Sequence, residues 1–146
     1  MAKTPQNYSN HAMKQPLWHY VAFPAATVFL AFAISMAVRS GSVVRGAIFV
    51  LFGAGAVATV WASRTMALTL QNRIIRLEMR LRLKEVLPAP LAERAQALTL
   101  GQMIALRFAS DAELPGLVER VLKGELTDRK AIKQAVTAWQ ADDLRA

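Results

Sequence analysis

The chain has 146 residues, 54% of them hydrophobic and 19% charged, and a formal net charge of +8 from 18 Lys and Arg against 10 Asp and Glu. Average soluble domains run about 45–50% apolar and about 25% charged, so this balance leans toward a membrane protein, and the length excludes a large multidomain enzyme. The absence of cysteine excludes a disulfide framework, an iron–sulfur centre, a thiol nucleophile and any cysteine zinc site.

Residues 1–16 form a mostly polar N-terminal segment. Its stretch Gln6-Asn7-Tyr8-Ser9-Asn10-His11 is dense in side chains that favour turns. Residues 17–38 carry no formal charge, and a second uncharged run covers 46–63, which Val43 and Val44 extend past Arg45. A bilayer core of ~30 Å needs roughly 20 helical residues. The expectation is a transmembrane hairpin over 17–63, with spans 17–38 and 43–63 joined at Arg39-Ser40-Gly41-Ser42. Trp18 and Tyr20 open the first span and Trp61 lies near the end of the second, where amphipathic rings meet the membrane–water interface. The first run is too long for the apolar core of a signal peptide and follows 16 mostly polar residues. Pro24 lies near the first turns and is expected to perturb them.

Lys and Arg near the spans set the orientation. Lys3, Lys14, Arg64, Arg73, Arg76, Arg80, Arg82 and Lys84 stand on the side of the termini, against Arg39 and Arg45 at the turn. The positive-inside rule then places both termini in the cytoplasm. In the second span, Gly55, Thr59 and Ser63 recur every four residues, beside a row of Ala54, Ala58 and Ala62. Such rows let helices approach closely in lipid. The expected partner is the first span, through Ala22, Ala26, Ala33 and Ala37, with a second copy or another membrane protein as the alternative.

Residues 64–87 lack Gly and Pro and should continue the second span as a basic amphipathic stalk, ended by Pro88 and Pro90. Leu70, Ile74, Leu77 and Leu81 follow 4-3-4 spacing and form one apolar stripe; Leu68, Ile75, Met79 and Val86 form another. Two stripes imply two packing partners, such as the C-terminal helices and a second subunit. Arg64, Arg73, Arg76 and Arg80 are placed to meet anionic lipid headgroups, where each contributes about 1 kcal/mol. Glu78 and Arg82 have the spacing of a favourable helical pair.

Residues 88–146 read as a small cytoplasmic helical domain. Leu91 to Leu98 suggests a short helix. Thr99 to Gln102 fits a capping box, opening a helix to about Ala109 that buries Leu100, Met103, Ile104 and Phe108. Ser110 to Glu113 fits a second box, and Gly124 is placed just beyond the end of its helix. Thr127 and Asp128 open a last helix with Ile132, Ala135, Val136 and Trp139 on one face. Its other face carries Arg129, Lys130, Lys133, Gln134 and Thr137. The fold class expected is therefore all-α: a two-helix hairpin, a stalk and a helical cluster.

Gln6 to His11, the two spans, Leu106-Arg107-Phe108-Ala109-Ser110-Asp111-Ala112-Glu113-Leu114-Pro115 and Leu126-Thr127-Asp128-Arg129-Lys130-Ala131-Ile132-Lys133 together resemble an uncharacterised family of short bacterial two-span membrane proteins. The resemblance covers nearly the whole chain. It implies topology and supplies no activity and no catalytic residues.

No serine–histidine–carboxylate order, phosphate-cradling loop or apolar carboxylate pair is present, so no catalytic residue, metal or cofactor is expected. His11 and His19 are the two histidines. His19, inside a span, has the residue type and setting of a haem or pigment ligand, although beside Trp18 and Tyr20 it reads as an interfacial side chain. Residues 1–87 hold ten basic and two acidic groups, and residues 88–146 hold eight of each. A neutral C-terminal domain is a poor footprint for phosphate. The expectation is a non-enzymatic scaffold or accessory subunit in a bilayer, contacting lipid headgroups and another membrane protein or itself. The alternative is a tethered module whose last helix engages nucleic acid or an acidic protein.

Overall fold

The computed structural model describes residues 6–10 and 15–142. Lys3, His11, Lys14 and Asp143 lie outside these residues. The fold is all-α: 75% of it is helical, with no strand among the described residues. Two compact units are formed, one by residues 15–69 and the other by residues 70–142 together with 6–10.

In the first unit, a π-helical turn at Leu17–Ala22 runs straight into α1, Phe23–Arg39. The Phe23 N–H reaches back to the Trp18 carbonyl, five residues away. Pro24 accounts for this wider turn. It has no N–H for the Tyr20 carbonyl, and its ring crowds the preceding turn. The two segments make one apolar helix of 23 residues, Leu17–Arg39. Ser40 and Gly41 close the turn. The Ser40 hydroxyl donates to the Ala37 carbonyl at 2.8 Å, and Gly41 takes φ +63°, which suits glycine.

Helix α2 then runs unbroken over Val43–Val86. At 1.5 Å per residue its 44 residues extend about 66 Å, twice what a bilayer core requires. The two helices are long and apolar enough to cross a membrane, and only 11% of the most apolar stretch of each is buried by protein.

In the second unit, Ile75, Met79 and Leu83 of α2, with Leu87 just past its end, enter the apolar core. Around them stand α3 (Ala89–Arg94), a 3-10 turn (Ala95–Ala97), α4 (Leu100–Leu106), α5 (Leu114–Leu122) and α6 (Arg129–Ala135). Their starts follow local chemistry. Thr99 accepts the Gln102 N–H while the Gln102 side chain accepts the Thr99 N–H, a complete capping box. Asp128 accepts the Ala131 N–H at 2.6 Å. Gly124, at φ +79°, ends α5 as expected. Met103, Leu106, Phe108, Leu114, Val118 and Ile132 are fully buried at the centre.

Three helix boundaries depart from the sequence reading. Helix α4 stops at Leu106 rather than near Ala109. Helix α5 starts at Leu114, with Pro115 in its first turn, and only half of the second capping box survives: the Ser110 N–H donates to Glu113 Oε1 at 3.2 Å. Helix α6 ends at Ala135, so Val136 to Trp139 do not continue it. The cause is a competing pairing. Ala109 and Trp139 form an antiparallel bridge, with the Ser110 N–H on the Ala138 carbonyl and the Gln140 N–H on the Phe108 carbonyl. The β-branched Val136 and Thr137 fit this extended segment better than a helix end.

Candidate functional site

The hairpin has an inner and an outer face, and the small residues divide between them. Ala26 and Ala33 of α1 are buried. Gly53 sits against Ala33: a β-carbon there would lie 2.9 Å from Ala33 Cβ and 3.1 Å from Leu30 Cα. Gly46, seven residues earlier, meets the Ala37 carbonyl, where a β-carbon would stand 3.3 Å away. The Trp18 indole N–H reaches the Val60 carbonyl at 3.2 Å, and the Arg64 guanidinium lies over the Trp18 ring at 5.8 Å.

The row Gly55, Thr59 and Ser63 is not the inner face. All three are exposed, as are Ala54, Ala58 and Ala62. No atom outside its own helix comes within 4 Å of a β-carbon built on Gly55. Thr59 and Ser63 turn their hydroxyls onto carbonyls of their own helix, at 2.8 Å each. The expectation that this row packs on the first span is therefore corrected: Gly46 and Gly53 do so. Every face of the span is apolar, so spacing alone did not single out the inward one.

His19 is half-buried in the π-helical turn. Its Nδ1 stands 2.8 Å from the Gln15 carbonyl, and its ring meets Trp18 edge-on at 4.9 Å. Among the described residues no group of three or more His, Asp or Glu side chains is placed to hold a metal.

The stalk part of α2 is two-faced. Ile75 and Met79, at 5% and 3% exposure, belong to the core of the second unit. Leu70, Ile74, Leu77 and Leu81 are 57%, 54%, 62% and 63% exposed. Arg73, Arg76 and Arg80 are exposed beside them, whereas Arg64 is half-buried by its contact with Trp18. A groove of ≈ 470 Å³ adjoins the stripe, lined by Leu77, Leu81, Ala92 and Gln96 with Arg80 and Lys84 among its walls.

Arg82 does not rest on Glu78 as the helical spacing suggested. Its guanidinium donates to Asp111 at 2.8 Å, to the Arg107 carbonyl at 3.1 Å and to the Ala109 carbonyl at 2.6 Å. A cation on carbonyls just past α4 satisfies acceptors that the helix leaves open. Glu113 was read as a helix cap and does more. It accepts the Thr137 hydroxyl at 2.7 Å and the Thr137 and Ala138 N–H groups at 3.1 and 3.3 Å. Burial pushes its carboxyl up, but the hydrogen bonds from Thr137, Ser110 and Ala138 outweigh it and hold the pKa below the ordinary glutamate value.

The basic face of the last helix is partly occupied. Lys133 lies over the Phe108 ring at 5.4 Å, Arg129 rests against Gly101, and Thr137 falls outside the helix. Asp142 is 2.8 Å from Arg107 in an ion pair. Its N–H donates to the Gln6 side chain at 2.9 Å, which ties Gln6 to the C-terminal cluster.

The chain belongs to a family of unknown function, DUF6526, whose model matches residues 1–146. No curated protein and no solved structure matches the chain.

Proposed function

We propose that the protein is a non-enzymatic integral membrane adaptor, an accessory subunit of a larger membrane assembly. It sits in the bacterial cytoplasmic membrane with both termini in the cytoplasm. The observation that carries this reading is the exposed stripe Leu70, Ile74, Leu77 and Leu81. Counted from Ser63, where the sequence ends the second span, the stripe lies about 10 to 27 Å farther along the helix. At that distance hydrocarbon tails do not cover Leu77 or Leu81, and contiguous exposed apolar surface marks an interaction site. The docking of Gln6 on Asp142 supports placing the termini on one side, and the excess of Lys and Arg there supports the cytoplasmic side. Of the arginines read as headgroup contacts, Arg64, one residue past Ser63, is the one at headgroup level.

The test is gentle solubilisation of the full chain, native affinity capture, crosslinking and mass spectrometry. A defined stoichiometric partner is expected. Purification as a lone monomer that crosslinks to nothing contradicts the reading.

A further inference from the structure

We infer that the exposed stalk stripe pairs with the same stripe of a second copy of this chain, as a parallel two-stranded coiled coil. The inference rests on the membrane reading above and adds the identity of the partner at the stalk. Spacing of 4, 3 and 4 admits one heptad assignment: Leu70 and Leu77 at d, Ile74 and Leu81 at a. A β-branched residue at a with Leu at d favours two strands. The opposite face, with Ile75, Met79 and Leu83 at b, f and c, is already occupied by the chain's own core. The a/d seam is left free on a helix whose other side is fixed.

The charges name the partner. Arg73 and Arg80 fall at g, and Glu78 and Glu85 fall at e; all four are exposed. In a parallel pair, a residue at g meets the residue five positions later on the other helix. Arg73 then meets Glu78 of the second copy, and Arg80 meets Glu85. An antiparallel pair sets g against g and e against e, which opposes Arg to Arg and Glu to Glu. The pattern therefore selects the parallel pair, the arrangement open to two chains inserted in one membrane in the same orientation. These are the two acidic residues of the 64–87 stalk, and both stand at the rim position that this pairing uses. Two heptads make a weak coiled coil in solution. Tethering by the spans removes much of that penalty, because it raises the effective concentration and prealigns the helices. The groove beside Leu77 and Leu81 leaves room for the second helix's flanking side chains.

The natural chain has no cysteine, so single cysteines report cleanly on neighbours. The full-length protein is oxidised in its native membrane. Leu70→Cys and Leu77→Cys are expected to give disulfide-linked dimers; Asn72→Cys and Arg76→Cys, at f and c, are expected to give none. In the Leu77→Cys background, Arg73→Glu with Arg80→Glu should abolish the dimer band, and adding Glu78→Arg with Glu85→Arg should restore it. Equal crosslinking at Arg76→Cys, or a dimer indifferent to the charge reversal, overturns the inference. If Leu77→Cys links only to a different protein, self-pairing is overturned while the adaptor reading stands. If the dimer forms with the expected charge dependence and native capture yields nothing else, self-pairing holds and the adaptor reading fails.

Discussion

The cytoplasmic cluster and the hairpin are built from similar side chains and treat them in opposite ways. The cluster turns Met103, Leu106, Phe108, Leu114, Val118 and Ile132 fully inward and, among the described residues, buries no polar side chain outright. The hairpin shows Phe29, Phe32, Leu51 and Phe52 to its surroundings, and its buried positions among the described residues are Ala26, Ala33, Gly46 and Gly53. Water explains the first arrangement, since burying a large side chain in a core contributes about 1.5–3 kcal/mol. In lipid, where we propose the hairpin lies, that drive between helices vanishes, and close backbone approach through small residues takes its place. The stalk lies along the same α2 helix and has one face of each kind. Its Ile75 side is packed as in a water-soluble domain, while its Leu77 side is left open.

The sharpest way to break this comparison is to empty the cluster. Phe108→Ala removes a fully buried ring that meets Trp139 in a tilted contact at 4.9 Å and should cost about 3–5 kcal/mol. Denaturant titration followed by tryptophan fluorescence should show the cluster unfolding early while span helicity persists. Arg82→Ala is next. It strips a charged donor from Asp111 and from two carbonyls, and about 2 kcal/mol of cluster stability should be lost by the same assay.

Inside the hairpin the contrast is between two glycines. Gly53→Val forces a β-carbon against Ala33 and Leu30 and should destabilise helix pairing by about 1–3 kcal/mol. Gly55→Val meets only the surroundings and should leave the pairing unchanged. Energy transfer between labels at the ends of the two helices distinguishes these outcomes.

The smallest effect expected is at Glu113. Its carboxyl titrates lower in the folded protein than in the unfolded chain. The stability it contributes is therefore complete above the unfolded pKa of about 4.3 and is lost as pH falls through the lower folded value. Glu113→Gln should cost about 1 kcal/mol at neutral pH, discounted for its partial exposure, and should flatten the acid limb of a melting-temperature profile.

Much of this was legible in the residues, for local reasons. Charge-free runs bounded the spans, and Thr99, Gly124 and Asp128 marked helix ends through caps that involve only nearby neighbours. What escaped depended on distant partners. The end of α6 at Ala135 is set by pairing with Ala109, and the role of Arg82 by Asp111, 29 residues away. The inward row of the second span was hidden by uniform composition. Gly46 and Gly53 differ from Gly55 in what stands opposite, not in their own neighbours along the chain. A signal was present in their seven-residue interval, which continues to Val60 at the Trp18 contact.

The proposed topology is a hairpin whose two long apolar helices both cross a membrane. Maleimide labelling of single cysteines in sealed vesicles of known orientation tests it most directly. Cysteine at Glu125 should react only from the cytoplasmic face and cysteine at Ser42 only from the opposite face. Cysteine at Phe52 should stay unreactive until detergent is added. Labelling of Ser42 and Glu125 from the same side, or ready labelling of Phe52 in intact vesicles, would contradict it.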